Sequence, residues 1–131
     1  MIFLSMFKRK KEENNKNNLS KNDWPESVVI LNEKNFIEFI EKYPFAIVDF
    51  WAAWCAPCKT MNPRLRLLSK TYKGKVAFGK VDSQKHEKLA KKYKIYGIPN
   101  LIFFKNGKNI LSINGVRSIG SLKDTIDDLL K

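Results

Sequence analysis

The sequence predicts an α/β fold in which a mixed five-stranded sheet is covered by helices on both faces. Apolar runs of strand length alternate with segments of helical period, in the order βαβαβαββα. An Asn-Gly pair near the C-terminus separates two apolar runs, as in a β-hairpin. Both cysteines of the 131-residue chain lie in one Cys-x-x-Cys motif at a strand-to-helix turn. These three observations indicate one redox-active α/β domain.

The first half of the chain is predicted to form two strands and two helices. Residues 28–31 and the apolar run 45–51 are the strands. Asn32 is expected to cap the helix between them. The long helix after Pro57 has an apolar face formed by Met61, Leu65, Leu68 and Tyr72. The Cys-x-x-Cys motif therefore lies where the second strand turns into this helix.

The second half continues the alternation and ends in a hairpin and a helix. A strand is predicted at 75–82, a helix at 84–93, and hairpin strands at 101–104 and 110–113. The last helix carries an apolar stripe formed by Leu122, Ile126, Leu129 and Leu130. Crossover connections favour parallel strands and the hairpin an antiparallel pair, so the sheet should be mixed.

The length allows one domain with one core, expected over residues 23–131. Residues 1–22 are predicted to be a disordered, basic, Asn/Lys-rich extension, because residues 8–23 contain one apolar residue and no periodicity. The apolar tip is shorter than the roughly 20 residues of a spanning helix and lacks the preceding charge of a secretory signal. We therefore expect a cytoplasmic location. Membrane contact by residues 1–11 is an alternative, but we do not expect it. Translation could also start at Met6 instead of Met1.

The formal charge of +12 invites a nucleic-acid function. The lysines of the predicted helices are scattered beside acidic residues, however, and no groove-reading motif is present. Solubility and attraction to acidic proteins explain the charge better, so nucleic acid is not an expected partner. The single histidine, His86, lies in a polar run, and a zinc site needs three or four protein ligands. No metal site is expected.

The spacing of Cys55 and Cys58 suits a reversible disulfide. At i and i+3 of a first helical turn the Cβ atoms lie about 5–6 Å apart, and a disulfide requires roughly 3.5–4.5 Å. The free N–H groups and the dipole of the helix, with Lys59 nearby, would stabilise a thiolate on Cys55. Cys55 is therefore the expected nucleophile and Cys58 the resolving thiol. The alternatives are two inert thiols or a structural staple, which would gain only roughly 2 kcal/mol from so short a loop.

Asp49 is the one acidic residue in the apolar run 45–51. An isolated buried carboxylate is costly, so we expect a raised pKa or a positively charged partner. We predict that Asp49 moves a proton to and from Cys58, and that Lys80 is its partner. The alternatives are that Asp49 faces water at the strand end and that Lys80 is an ordinary exposed lysine.

Several motifs together resemble the thioredoxin family, over about residues 28–131. The segment from Val48 to Lys59, with Trp54-Cys55-x-Pro57-Cys58 at its centre, resembles the family's active-site signature. Four further motifs follow in the family's order: Pro63 at the kink of the long helix, Lys80-Val-Asp82 at the end of the third strand, Tyr96-Gly-Ile98-Pro99 at the cis-proline loop, and Phe103-Phe-Lys-Asn106-Gly107 at the last hairpin. Gly115 matches the glycine that closes the substrate groove.

The resemblance implies a three-layer thioredoxin-like fold and a general protein-disulfide reductase, a dithiol electron carrier. The resemblance also implies that the peptide bond before Pro99 is cis and that Trp51, Lys59 and Pro63 support the site. It implies no cofactor beyond the Cys55–Cys58 disulfide. The implied substrate groove contains Trp54, Ala56, Pro57, Ile98, Pro99 and Gly115. The implied partners are disulfide-containing proteins and a thioredoxin reductase as electron donor, with the chain a monomer.

Two positions depart from the family's pattern. Ala56 replaces the commonest glycine, and Asn100 replaces the usual threonine after Pro99. Both adjoin the sulfurs, so redox potential and choice of partner are the properties they affect. A disulfide oxidant or isomerase, and a binding module that keeps the fold, are the alternative functions.

Overall fold

Five strands form one mixed sheet in the computed structural model, which describes residues 19–131. The strands are β1 (Val29–Leu31), β2 (Phe45–Trp51), β3 (Ala77–Asp82), β4 (Asn100–Lys105) and β5 (Lys108–Asn114). Their order across the sheet is β1-β3-β2-β4-β5. The strands β1, β3 and β2 are parallel, whereas β4 is antiparallel to both β2 and β5. The predicted fold class is confirmed.

Four helices cover the two faces of the sheet: α1 (Phe36–Lys42), α2 (Ala56–Thr71), α3 (Glu87–Lys92) and α4 (Ile119–Leu129). One buried cluster joins Phe36 and Phe39 of α1 and Leu89 of α3 to one face of the sheet. A second joins Met61 of α2 and Leu122 of α4 to the other face. Each helix therefore buries its apolar side against the sheet, as the periodicity predicts.

The central strand β2 is buried along almost its whole length and contributes to both clusters. Ala46, Val48 and Phe50 pack toward α1 and α3, and Phe45 and Ile47 pack toward α2 and α4. Successive side chains of a strand alternate between faces. Asp49 therefore lies on the face that α2 covers.

Two helices begin later than the sequence predicts, each after a turn closed by an Asn or Asp side chain. The Asn32 side-chain carbonyl accepts the N–H groups of Lys34 and Asn35 at 2.8 and 3.1 Å, and its backbone carbonyl accepts that of Phe36, where α1 begins. Asn32 thus satisfies N–H groups ahead of α1, as its predicted capping role requires. Asp82 accepts the N–H groups of Gln84 and Lys85 in the same way, and α3 begins at Glu87 instead of residue 84.

The hairpin between β4 and β5 turns at Asn106 and Gly107. Their φ angles are 51° and 81°. Two consecutive residues at positive φ are the requirement of a type I′ turn, which Asn-Gly meets at little steric cost. The hairpin predicted from the sequence is confirmed.

The domain begins before residue 23. Residues Lys21–Asp23 form one 3-10 turn in which Ser20 and Asp23 cap each other, and Leu19 packs against the cluster beside Trp24, which is buried. The prediction of disorder is therefore wrong for residues 19–22, because their polar composition does not reveal these contacts. Residues 1–18 lie outside the described residues, and there it stays a prediction. Among the helices described from residue 19 onward, none combines the length and apolarity needed to cross a bilayer.

Candidate active site

The two cysteines lie where β2 ends and α2 begins. Cys55 is the N-cap residue of α2, and Cys58 is in its first turn, with 5.3 Å between their Cα atoms and a disulfide joining their sulfurs. The Cys58 N–H donates to the Cys55 sulfur at 3.3 Å. Pro57 has no N–H, and the Lys59 N–H is used by the Cys55 carbonyl. The first helical turn thus offers the N–H of Cys58 to the sulfur of Cys55.

The two sulfurs differ in their access to solvent. Cys58 is fully buried, whereas Cys55 keeps a 4% exposed surface. The neighbours of Cys55 lie at the surface: Ala56 and Pro57 are exposed, and Trp54 is 70% exposed. A substrate disulfide can therefore reach Cys55 before Cys58.

A second loop completes the surface around Cys55. The Ile98–Pro99 peptide bond is cis, and the Ile98 carbonyl oxygen lies 3.9 Å from the Cys55 sulfur. The Gly115 N–H donates to the Pro99 carbonyl at 2.8 Å, and Gly115 has a φ of 93°, which favours glycine. The residues predicted for the substrate groove are thus brought together by three separate loops.

An apolar pocket of about 600 Å³ extends this groove on the side of α3. Trp54 and Tyr96, both highly exposed, stand on its walls, and Ala90 and Ile95 also line it. The sequence predicted Trp54 here but not Tyr96. An exposed aromatic residue beside the cis-proline motif is the signal that could have identified it.

Asp49 is buried without a hydrogen bond. Its side chain is 1% exposed, and neither carboxylate oxygen has a hydrogen-bonding partner within residues 19–131. Burial raises the pKa of Asp49 to about 7, and the charge of Lys80 opposes this rise. Asp49 can therefore exchange a proton near neutral pH.

Lys80 influences Asp49 through charge at a distance and not through an ion pair. The two residues are partners in the register of β2 and β3. Within residues 19–131, however, no ion pair within 4.0 Å joins them, and the Lys80 ammonium lies 5.1 Å from the centre of the Trp51 ring. Lys80 thus acts on Asp49 as a nearby positive charge, and its side chain turns toward the indole ring.

A cleft of about 220 Å³ leads from the surface to Asp49. Polar side chains of Ser27, Asn62, Arg66 and Lys80 line it together with Val28 and Leu65. Asn62 and Arg66 follow Cys58 at intervals of four residues, so the three positions form one stripe along α2. Asn62 and Arg66 were not predicted as site residues, although polar residues four positions apart beside the apolar Leu65 indicate a polar stripe on this helix.

The remaining predicted residues lie around the site. Trp51 is half-buried and packs against the cysteine cluster, Lys59 is exposed on the first turn of α2, and Pro63 lies within that helix. His86 pairs with Glu33 at 2.6 Å. Across residues 19–131 there is no group of three side chains suited to hold a metal ion.

Comparisons with known proteins agree with this geometry. The family model described as Thioredoxin matches residues 27–128. The chain is 38% identical over 106 residues to a thioredoxin of Buchnera aphidicola, covering 79% of this chain and 97% of that one. It is 39% identical over 101 residues to the chloroplastic M-type thioredoxin of Spinacia oleracea, covering 76% of this chain but 56% of that protein. The solved structure of Plasmodium falciparum thioredoxin superposes with a TM-score of 0.72 at 33% identity, covering 77% and 98% of the two chains.

Proposed function

The chain belongs to the thioredoxin family and catalyses thiol–disulfide exchange, and we propose that it reduces protein disulfides by attack of Cys55 followed by resolution by Cys58. The observation that supports this order most directly is the position of Cys55. Its sulfur is at the helix N-terminus and at the floor of the groove, whereas that of Cys58 is fully buried. A helix N-terminus stabilises a thiolate, and the thiolate is the attacking form.

The reaction balances as a two-electron exchange. The Cys55 thiolate attacks one sulfur of the substrate disulfide, forms a mixed disulfide and releases the other substrate sulfur as a thiolate. The Cys58 thiolate then attacks the Cys55 sulfur. This step forms the Cys55–Cys58 disulfide and releases the second substrate sulfur, so the substrate gains two electrons and two protons.

Cys58 must lose a proton before it can resolve the mixed disulfide, and we propose that Asp49 accepts it. Asp49 has a pKa of about 7 and no competing hydrogen bond within residues 19–131. The polar cleft along Asn62, Arg66 and Lys80 would then exchange this proton with solvent. Lys80, whose charge lowers the pKa of Asp49, would set the pH at which this occurs.

The partners and the setting of the reaction are also proposals. We propose that the protein uses no cofactor beyond the Cys55–Cys58 disulfide and that a thioredoxin reductase supplies the electrons that reduce this disulfide again. We also propose that the protein acts as a cytoplasmic monomer. Family membership supports the electron donor.

Insulin reduction tests the order of attack. With dithiothreitol as the bulk reductant, the unchanged protein should accelerate precipitation of the insulin B chain, and Cys55→Ser should abolish this acceleration. Cys58→Ser should accumulate a mixed disulfide with insulin, visible by mass spectrometry as one covalent adduct at Cys55. An adduct that formed with Cys55→Ser instead would reverse the two roles.

The same preparation separates the alternative functions. A measured reduction potential near that of strong oxidants would favour a disulfide oxidant or isomerase over a reductase. A protein with no insulin reduction and no reactive thiol in iodoacetamide alkylation would be a binding module. We expect Cys55 to be alkylated first at neutral pH.

A further inference from the structure

An arginine pair, Arg64 and Arg117, lies beside Gly115 at the rim of the substrate groove. Arg64 of α2 donates from its guanidinium to the Arg117 carbonyl at 2.7 Å. The Arg117 guanidinium donates to the Val116 carbonyl at 3.1 Å. These contacts hold two guanidinium groups next to the loop that follows β5.

This loop is the one that touches the cis-proline. A methyl group added at Gly115 would lie 3.8 Å from the Arg117 guanidinium nitrogen. The Gly115 N–H donates to the Pro99 carbonyl, and the adjoining Ile98 carbonyl lies 3.9 Å from the Cys55 sulfur. The Arg117 guanidinium therefore lies next to Gly115, and the contacts of Gly115 with Pro99 and of Ile98 with Cys55 connect it to the reacting sulfur.

The two arginines have N–H donors that are not used within residues 19–131. A guanidinium has five N–H donors, and each of these two uses one on a backbone carbonyl. Within residues 19–131, neither arginine has an acidic partner within 4.0 Å. Two guanidinium groups with free N–H donors match the geometry of a carboxylate.

The distribution of charge along the chain favours the same ligand. Residues 50–81 contain seven lysines and arginines, residues 88–123 contain eight, and neither stretch contains an aspartate or glutamate. The residues predicted for the groove, from Trp54 to Pro57, at Ile98–Pro99 and at Gly115, all lie in these two stretches. They contribute no carboxylate that would occupy the arginine pair, and the acidic residue Glu87 lines the pocket on the side of α3.

We infer that Arg64 and Arg117 form a subsite for an acidic side chain of the protein substrate, close to the disulfide that Cys55 attacks. The inference rests on the proposed function and adds a preference among its substrates. An extended substrate segment advances about 3.3 Å per residue, so an Asp or Glu within a few residues of the attacked cysteine can reach the rim. Lys59, exposed in the first turn of α2, adds to the positive potential.

The test compares matched disulfide peptides. Each twelve-residue peptide has one internal disulfide. It carries either Glu or Gln, which has the same shape, at one of the three positions on either side of the attacked cysteine. The measurement is kcat/KM for reduction at low salt. We expect one position at which Glu is preferred over Gln about three- to fivefold, the range of an exposed ion pair. We expect Arg64→Gln/Arg117→Gln to lose this preference.

The control removes the same charge elsewhere. Lys105→Gln/Lys108→Gln lies at the hairpin, at the end of β4 away from Pro99, and should keep the preference. If Arg64→Gln/Arg117→Gln does not fold, Arg117→Gln alone is used, because its backbone carbonyl still accepts from Arg64.

Four results would overturn the subsite. The first three are no preference for Glu in the unchanged protein, a preference that survives in the arginine variant, and an equal loss of the preference in the lysine control. The fourth is loss of single-stranded DNA binding in the arginine variant when the unchanged protein shows no peptide preference. The last would make the rim a nucleic-acid contact. Reduction of the Gln peptides by the unchanged protein tests the proposed function separately, since it does not depend on the arginines.

Discussion

Replacing Asp49 by Asn should stabilise the folded, oxidised protein at neutral and alkaline pH. The carboxylate is 1% exposed, and its pKa rises from 3.8 to about 7 because burial disfavours the charged form. One pKa unit corresponds to about 1.36 kcal/mol, so ionised Asp49 costs folding roughly 4 kcal/mol. An amide of the same shape carries no charge and avoids this cost.

The pH dependence has a definite sign. The pKa of Asp49 is higher in the folded than in the unfolded protein, so the folded protein binds the proton more tightly. The free energy of unfolding of the unchanged protein should therefore fall between about pH 4 and pH 7, and the Asp49 penalty should be complete above that range. The advantage of Asp49→Asn should be absent near pH 4 and approach roughly 4 kcal/mol by pH 8.

Urea unfolding of both oxidised proteins at pH 4.5, 6, 7 and 8 measures this difference. The change of the difference with pH is the decisive quantity, because a fixed offset from exchanging the side chain cancels. Asp124→Asn, on the exposed side of α4, is the matched control and should show no such change. A stability difference between Asp49→Asn and the unchanged protein that stayed constant from pH 5 to 8 would refute the raised pKa.

The same variant tests the proton transfer. Asp49→Asn should slow insulin reduction by about tenfold or more, since general base catalysis typically contributes at least that much. It should also remove the inflection of activity near pH 7. An activity that was unchanged across pH 6–8 would show that Asp49 is structural and that water accepts the proton.

Two further predictions follow from the surroundings of the site and of the N-terminus. Lys80→Gln removes the charge that lowers the pKa of Asp49, so the inflection of insulin reduction should move above pH 7; a pH profile with the inflection unmoved would show that Lys80 does not act on Asp49. Deletion of residues 1–18 should leave the melting temperature unchanged. Deletion of residues 1–22 should lower the melting temperature, because it removes the packing of Leu19. Equal melting temperatures for the two deletions would contradict this prediction.

The sheet could be predicted from the sequence because its signals are local. Strand β2 is an unbroken apolar run, and the Asn106-Gly107 pair specifies its own turn. Helix starts were predicted less well. Asn32 and Asp82 satisfy N–H groups one turn ahead of each helix, and residue types alone do not determine how many residues such a turn contains.

The candidate site was likewise predictable from the sequence only in part. Cys55 and Cys58 are three residues apart, and a buried Asp49 follows from its apolar neighbours. The position of the Lys80 side chain was not predictable, because the register of β2 and β3 leaves it free to turn toward either Asp49 or the Trp51 ring. Such choices depend on energies of about 1 kcal/mol.

The arginine rim could not have been predicted at all. Arg64 and Arg117 are 53 residues apart and belong to different elements, and only the packing of α2 beside the β5–α4 loop brings them together. The rim and the proton cleft use different sides of α2. Asn62 and Arg66 line the cleft, whereas Arg64 lies two residues before Arg66 and so points from a different side of the helix. One helix thus presents Cys55 to the substrate at its N-terminus, an acid-binding side chain on one side, and the route of the Cys58 proton on another.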